Sequence, residues 1–389
     1  MDTTQKGIVI LLKSAITGCK LALPDGFDID EAYPRIRAHH MTALVYAGAV
    51  NCGIDQKKAA MQQLFQSYCK ALQVSERQMR ELARVFSAFD ESGIDYLPFK
   101  GCVMKAMYPQ PELRMMGDAD VLIRVEQYDR IVPIMRELGF SEGEVGERNF
   151  VWTSDSLCLE LHKCLIESTL VPYYNYFQNG WVHAKVKDGT RYAMDEENTF
   201  AFLFTHFSRH YSEAGIGCRH VVDLWVYLRS HPEMDEAYLR TVLEKLNLWE
   251  FYQNIRRLIA VWFEGEAPDD KSDFIAQTIF SNGSWGFSGN ATLSKGVRDM
   301  EKSGSVVISR IKYIWRCLFP GIMRIRNQYP ILRKQPWLLP VMWFVRLFDK
   351  LVLKRSIFRK HRRQLLLLNR EKLKSRKEML EYVGLIGDE

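Results

Sequence analysis

The sequence lacks the cysteine spacing of a zinc site or a disulfide framework. Its 8 cysteines and 9 histidines include no Cys-x-x-Cys pair and share no metal-ligand spacing. Scattered cysteines of this kind are typical of proteins in a reducing compartment. We therefore expect free thiols, no structural zinc site and a cytoplasmic location.

Long apolar runs are also missing. The run at 7–12 is too short for the apolar region of a signal peptide. The longest other run, 337–345, is followed by Arg346, Asp349 and Lys350, whereas a membrane-spanning helix needs about 20 apolar residues. The sequence predicts neither a signal peptide nor a transmembrane span.

What is present is a core-forming composition with an uneven charge. The chain has 389 residues, of which 47% are hydrophobic. This is enough for two or three folded domains and excludes global disorder. The net charge is +6, but residues 301–389 hold 21 Lys and Arg against 7 Asp and Glu. A basic C-terminal segment is therefore joined to a mildly acidic body.

Hydrophobic periodicity divides the chain into five parts. Residues 1–92 have apolar side chains at helical spacing. Residues 93–190 alternate between short strands and helices, and 191–265 are again helical. Residues 266–305 are rich in turn formers and predict a loop or linker. Residues 306–389 form the basic helical segment.

The part from 93 to 190 predicts a small mixed sheet with helices. Its strands are expected at 94–99, 118–124, 149–153 and 157–162. A short helix at 102–107 would make the first two strands a βαβ unit. Pro133 would kink a helix at 126–138 or delay its start. The predicted class is α+β, with this sheet embedded between mainly helical N- and C-terminal regions.

Two carboxylates on the second strand indicate a cation site. Asp118 and Asp120 are separated by one residue, so their side chains share one face of a strand. Neighbouring carboxylates repel each other unless a cation lies between them. Mg²⁺ suits such hard oxygen ligands, together with the phosphates of a substrate.

Further polar residues accompany the two aspartates. Lys100-Gly101 lies at the strand-to-helix turn, where a glycine lets the backbone approach a phosphate. Arg114 lies between this turn and the aspartates, and Glu160 and His162 share one face of a later strand. Each residue type also has a structural explanation: an exposed strand end, an edge-strand residue, a packed histidine or a salt-bridging arginine.

In these residues the sequence resembles the uncharacterised nucleotidyltransferase family of the DNA polymerase β superfamily. The shared pattern, within 94–225, comprises Phe-Lys-Gly at 99–101, Tyr-Pro at 108–109, Arg-x-x-Gly-Asp-x-Asp at 114–120, Leu-Glu-Leu-His at 159–162, and His206, His210, Arg219 and Asp223. The resemblance implies a minimal nucleotidyltransferase core at 93–190 and a helical domain at 191–265 that closes the nucleotide cleft.

The resemblance also implies residue roles. Asp118, Asp120 and Glu160 would be the catalytic carboxylates and would bind two Mg²⁺ ions. The residues implied to contact the nucleotide are Lys100, Gly101, Arg114, Arg219 and Asp223. One ion would activate an acceptor hydroxyl and the other would neutralise the phosphates. The NMP of an NTP would thereby pass to a small molecule, a protein or RNA, with release of pyrophosphate.

Two pairs at i, i+4 spacing lie in the helical part after 195. Arg219 and Asp223 either line the nucleotide cleft or form a structural ion pair. His206 and His210 have the spacing of a metal pair, but the sequence supplies no third ligand. This favours a polar pair that faces the cleft.

The basic segment has three interpretations. The stretch 355–376, predicted to be helical, could pack through its leucines, contact a polyanion such as tRNA, or lie on an anionic membrane surface together with 337–345. Two alternative functions also stay open. One is a degenerate module that binds nucleotides or polyanions without turnover, and the other is a toxin-like enzyme that adds nucleotides to tRNA.

Overall fold

The structure is a computed structural model that describes residues 1–168, 170–213, 215–282, 288–325, 328–329, 331–352, 364–366 and 368–385. The chain divides into two compact units. The first consists of Met1–Ser208 and Ile216–Trp285, and the second of Arg209–Gly215 and Gly286–Glu389.

The N-terminal region is helical, as predicted. Its helices are α1 (Thr3–Thr17), α2 (Ile29–Ala38), α3 (Thr42–Asn51) and α4 (Ala59–Glu91). Asp2 caps α1 by accepting a hydrogen bond from the backbone N–H of Gln5, which stabilises a helix by about 1 kcal/mol. The long α4 buries one face, including Leu82, Val85 and Phe89, in the core that also contains the central strands.

Seven strands form one mixed sheet. They are β1 (Tyr96–Phe99), β2 (Ala119–Ile123), β3 (Ser141–Val145), β4 (Asn149–Thr153), β5 (Cys158–His162), β6 (Ala184–Asp188) and β7 (Arg191–Met194). Their order is β3-β4-β5-β2-β1-β7-β6. β2 pairs in parallel with β5, and β1 with β7, while the other neighbours are antiparallel. The predicted α+β class with a small mixed sheet is confirmed.

The predicted βαβ unit is wrong, because β1 and β2 are antiparallel. The helix between them, α5 (Gly101–Met104), has only 4 residues and rises about 6 Å. Two prolines, Pro109 and Pro111, follow it and prevent a longer helix. So short a helix cannot carry the chain back along the strand, as a parallel crossover requires.

Three strands, β3, β6 and β7, lie outside the predicted set. β6 and β7 form a hairpin around Gly189-Thr190, and Gly189 has a φ of +53°. The loop consists of Gly189 and Thr190, and glycine at the first position of a two-residue loop favours a hairpin, so the sequence does contain this information. β3 reads Ser-Glu-Gly-Glu-Val, a composition that disfavours strands. It forms by pairing with β4.

The helix α6 (Tyr128–Glu137) packs with α4 and the sheet in one core. A 3-10 turn at Val125–Gln127 precedes it, so the helix begins later than the predicted 126. Pro133 lies inside α6. The helix buries Ile131 and Met135 in the same cluster as Trp152 of β4, and this burial fixes α6 on the sheet.

Helices follow the sheet to residue 282. They are α7 (Val171–Phe177), before the β6–β7 hairpin, and then α8 (Glu196–Glu213), α9 (Cys218–Ser230), α10 (Glu236–Lys245), α11 (Trp249–Ile259) and α12 (Asp270–Asn282). The loop predicted over 266–305 is wrong, because α12 and α13 (Ser288–Ser303) occupy most of it. The many polar and small residues of this range do not indicate helix by themselves. The helices are stabilised by the packing of a few buried side chains, Ile275 and Ile279 of α12 and Val297 of α13.

The second unit is helical where it is described. After α13 it contains α14 (Val306–Leu318), α15 (Ile322–Ile325), α16 (Ile331–Lys334), α17 (Leu339–Val352) and α18 (Arg370–Tyr382). The first part of the basic stretch predicted as helix at 355–376 lies outside the described residues. Its last part belongs to α18, which buries Leu373 and Leu380. None of the helices within the described ranges has the length and apolar content needed to cross a bilayer.

We predict that Gly48→Ala destabilises the first unit. A Cβ at Gly48 of α3 would overlap the backbone carbonyl of Leu11 in α1. Alanine gains about 1 kcal/mol of helix propensity over glycine, but a clash with backbone costs about 1–3 kcal/mol because neither helix can yield locally. Urea denaturation followed by circular dichroism should show a lower midpoint.

Gly321→Ala is the control for this substitution, because a Cβ at Gly321 meets no atom within 4 Å. We expect its unfolding midpoint to match that of the unsubstituted protein. Equal midpoints for Gly48→Ala and the control would contradict the close approach of α1 and α3.

Candidate active site

The parallel pairing of β2 and β5 brings the predicted carboxylates together. Asp120 is the Cα partner of Glu160, and Leu122 is the partner of His162. Paired residues of neighbouring strands point to the same face of the sheet, as do residues two apart in one strand. Asp120, Glu160 and His162 therefore share one face of the sheet. Asp118 directly precedes β2, at the end where β2 and β5 begin.

Two cationic or donor groups contact Asp120. Lys100 Nζ lies 2.7 Å from Asp120 Oδ1, and His162 Nε2 lies 2.8 Å from the same oxygen. His162 Nε2 is also 3.3 Å from Glu160 Oε2. Because an ionised carboxylate only accepts hydrogen bonds, Nε2 of His162 is the donor. His162 thus links the two carboxylates and fixes their orientation.

These contacts set the ionisation of the site. Burial alone would raise the pKa of Asp120, but the Lys100 ammonium and the His162 hydrogen bond hold it below its usual value. The hydrogen bond from His162 is the main cause of the lowered pKa of Glu160. Asp120 and Glu160 are therefore carboxylates at neutral pH.

For Asp118 the charge of Lys100 is too weak to offset its surroundings. Loss of hydration, and then the negative charges of Asp120 and Glu160, raise its pKa above the usual value. The three carboxylates are therefore close enough to repel one another. Such a group favours a divalent cation with oxygen ligands.

One group of side chains within the described part of the chain has the spacing of a metal site: Asp120, Glu160 and His162. His162 Nε2 already donates to both carboxylates, so we assign it to orienting them. The oxygen donors of Asp118, Asp120 and Glu160 fit a hard cation such as Mg²⁺. Two of the three predicted carboxylates, Asp120 and Glu160, thus belong to a group that could hold a metal, and Asp118 is not a member of that group.

Lys100 has a strained backbone conformation at the end of β1. Its φ and ψ are 49° and −115°, a region that residues with a Cβ rarely occupy. Such strain costs about 1–3 kcal/mol and is retained where the surroundings enforce it. The turn directs the Lys100 side chain back to Asp120, and the ammonium also lies 5.2 Å from the centroid of the Phe99 ring.

Gly101 follows Lys100 and is buried. A Cβ at this position would press on the side chains of Met116, at 2.9 Å, and Arg114, at 3.2 Å. The side chains of Met116 and Arg114 therefore pack closely against Gly101 under the loop that leads to β2, and this packing favours glycine here. The expected contact of Gly101 with a phosphate is a separate prediction that this packing does not test.

Three side chains hold the loop before Asp118 by its backbone carbonyls. Lys105 Nζ donates to the carbonyl of Arg114 at 3.0 Å, Arg219 donates to that of Met115 at 3.0 Å, and Gln78 donates to that of Met116 at 3.0 Å. Lys105 lies in the turn after α5, Arg219 in α9 and Gln78 in α4. We call the set the carbonyl clamp of residues 114–116.

Lys105 is almost fully buried in this clamp. Burial, and next the charge of Arg114, lower its pKa to about 8. A buried ammonium is retained only when it is hydrogen bonded, so the carbonyl of Arg114 is essential to it. The clamp and the packing of Gly101 together fix the path of the chain into Asp118.

Arg114 and Asp223 form a buried ion pair. Arg114 Nε lies 2.8 Å from Asp223 Oδ1 and its terminal nitrogen 3.1 Å from Oδ2. Tyr108 donates a further hydrogen bond to Asp223 Oδ1 at 2.8 Å. Burial would raise the pKa of Asp223, but Arg114 and then Arg219 hold the pKa below its usual value. Asp223 thus joins α9 to the loop through Arg114 and Tyr108.

The structure therefore sorts the predicted residues into two groups. Asp118, Asp120, Glu160 and Lys100 gather at one end of β2 and β5. The residues that hold the neighbouring loop are Gly101, Arg114, Arg219 and Asp223. His206 and His210 are absent from the one metal-type group found in the described ranges.

Several contributors were not predicted as site residues. The sequence placed His162 on the same face of β5 as Glu160 but did not indicate its role. Asn149 hydrogen bonds Glu160 and reaches it only through the pairing of β4 with β5. Gln78 and Lys105 act on backbone carbonyls, for which the sequence contains no signal.

We predict that Asp223→Asn destabilises the first unit by about 3 kcal/mol, because it leaves the buried Arg114 without its counter-charge. The measurement is urea denaturation at neutral pH. The low pKa of Asp223 in the folded protein means that its contribution is present above about pH 4 and is lost as the pH falls through that pKa. The stability difference between the two proteins should shrink accordingly in acid.

Glu244→Gln is the matched control, since Glu244 pairs with Arg240 on the exposed face of α10. Exposed pairs of this kind contribute about 0.3–0.5 kcal/mol. A loss for Asp223→Asn no larger than that of the control would show that the buried pair does not hold the loop.

Comparison with known proteins agrees with this geometry. A model of the uncharacterised nucleotidyltransferase family matches residues 25–264, which include the sheet, the carboxylates and α9. Searches of curated proteins and of solved structures gave no significant match. The matched range exceeds half of the 389 residues, and it confirms the resemblance found in the sequence. The protein belongs to the uncharacterised nucleotidyltransferase family.

Proposed function

We propose that the protein transfers an NMP from an NTP to a hydroxyl-bearing acceptor and releases pyrophosphate in a Mg²⁺-dependent reaction. Family membership supports nucleotidyl transfer in general. The single observation that supports the proposed Mg²⁺-dependent reaction is the position of Asp120 beside Glu160 on parallel strands. Asp118 lies close enough to interact with the charges of both.

The proposed metal ligands are Asp118, Asp120 and Glu160. When bound, two Mg²⁺ ions would neutralise the triphosphate and lower the pKa of the acceptor hydroxyl. His162 holds Asp120 and Glu160 in position through Nε2. Because Asp120 and Glu160 are already ionised, they need not lose a proton when a cation binds.

The nucleotide is proposed to lie beside Lys100 and Arg219. The Lys100 ammonium adjoins Asp120 and can neutralise a phosphate oxygen held next to that carboxylate. Arg219 contacts the loop at Met115. Gly101, Arg114 and Asp223 act by holding this loop. The helices within 191–265, which carry Arg219 and Asp223, are proposed to close the nucleotide cleft.

We predict that Asp118→Asn, Asp120→Asn and Glu160→Gln each lower NMP transfer by roughly 100-fold or more, because each removes a charge that the transition state requires. The measurement is transfer of ³²P from α-labelled NTPs to candidate acceptors, together with pyrophosphate release. Removal of Mg²⁺ by a chelator should abolish the same signal.

Glu142→Gln is the control for these variants. Glu142 lies on β3 of the same sheet and pairs with Arg136, away from the carboxylate group. Its transfer rate should equal that of the unsubstituted protein. Retention of full activity by Asp120→Asn would contradict the proposed mechanism.

The alternative of a degenerate binding module has its own signature. Calorimetry would then show binding of an NTP without pyrophosphate release, and Glu160→Gln would have little effect on the affinity. A toxin-like enzyme acting on tRNA would instead arrest growth when expressed, and Asp118→Asn would relieve the arrest.

A further inference from the structure

The helix α14 of the second unit has two contrasting faces. Its inner face is fixed by Ser309, which donates to the carbonyl of Gly296 at 3.1 Å, and by Arg316, which pairs with Asp299. Its outer face carries large apolar side chains that are exposed to solvent: Val307, Ile308, Ile311, Ile314, Trp315 and Leu318. Their spacing forms one continuous stripe of about three turns.

The helix α17 repeats this arrangement. Its inner face contacts the end of α14, where the Trp343 indole donates to the carbonyl of Pro320 at 2.9 Å and Arg346 donates to that of Cys317 at 2.8 Å. Its exposed apolar side chains are Val341, Phe344, Val345, Leu347 and Phe348. Trp337 precedes the helix and is 69% exposed.

The two stripes are unusual for a surface exposed to water. Phe344 is 71% exposed and Trp315 is 62% exposed. Single exposed apolar residues are ordinary, but grouped ones mark a surface that another body covers. We call the exposed residues of α14 and α17, with Trp337, the apolar surface of the second unit.

The charge around this surface identifies what covers it. Residues 306–352 contain nine Lys and Arg and a single acidic residue, Asp349. Two of the nine, Lys312 and Arg316, pair with Asp299 of α13, so the segment keeps a net positive charge after this pairing. Asp349 accepts a hydrogen bond from Tyr329 at 2.8 Å. Exposed Trp, Phe and aliphatic side chains flanked by basic residues are typical of helices that lie in the interface of a bilayer. The positive charge is complementary to anionic lipid head groups.

We propose that the apolar surface of the second unit binds the surface of a membrane that contains anionic lipids. RNA would use the basic residues but leaves the exposed isoleucines and valines without a role. A second copy of the chain would cover the stripes but would oppose two strongly basic surfaces. Only an anionic bilayer accommodates both the apolar and the basic residues.

The experiment is flotation of the full-length protein with two kinds of vesicle. One is pure phosphatidylcholine, and the other contains three parts phosphatidylcholine to one part phosphatidylserine. We expect recovery with the anionic vesicles and much less with the neutral ones. A higher salt concentration should weaken binding to the anionic vesicles, because salt screens the attraction between basic side chains and anionic head groups.

A triple variant, Trp315→Ser with Phe344→Ser and Phe348→Ser, tests the apolar contribution. All three side chains are exposed, so circular dichroism and the melting temperature should be unchanged. Its partition into anionic vesicles should fall by about tenfold or more, since the apolar area buried in the bilayer drives binding. Phe65→Ser, an exposed aromatic of α4 in the first unit, should bind as the unsubstituted protein does.

Any of four outcomes would overturn the proposal. The first is equal recovery of the unsubstituted protein and the triple variant, and the second is no flotation with anionic vesicles. The third is salt-sensitive binding to RNA that the triple variant retains, in a protein that does not float. Concentration-dependent dimerisation that the triple variant loses, without vesicle binding, would assign the surface to a second copy.

Discussion

The repulsion among three carboxylates is the constraint on which the site depends. β2 and β5 pair in parallel, and this register places Asp120 beside Glu160 while Asp118 stands at the same end. Lys100 and His162 offset the charge of Asp120, yet the pKa of Asp118 remains raised. A fold that holds like charges together in this way is most stable with a cation among them. Membership of the nucleotidyltransferase family supports nucleotidyl transfer in general, and we propose that such a cation serves this reaction.

The rest of the first unit keeps these charges in place. The carbonyl clamp fixes residues 114–116 from three elements. The buried pair of Arg114 and Asp223 ties the same loop to α9. A buried ion pair seldom adds net stability over apolar packing, but removing one partner is costly. We infer that its value lies in giving the loop a single path, and with it a single position for Asp118.

Much of this could be predicted from the sequence, and the exceptions have physical causes. Asp118, Asp120 and Glu160 were recognisable because strand alternation and the motif agree, and β5 alternates two buried leucines with polar residues. The antiparallel direction of β1 and β2 could not be predicted, because it depends on where α5 ends. α12 and α13 were hidden among polar residues, and their few buried side chains become visible only in the packed structure. Side chains that bind backbone carbonyls, such as Gln78, have no sequence pattern.

The most direct test of the central claim is a Mn²⁺ titration followed by electron paramagnetic resonance, in which bound Mn²⁺ loses the signal of the free ion. The measurement compares the unsubstituted protein, Asp120→Asn and Glu142→Gln in the presence of a non-hydrolysable NTP analogue. The account predicts Mn²⁺ binding by the first and third proteins, and binding weakened by about tenfold or more in Asp120→Asn. Equal Mn²⁺ binding by all three proteins would contradict it.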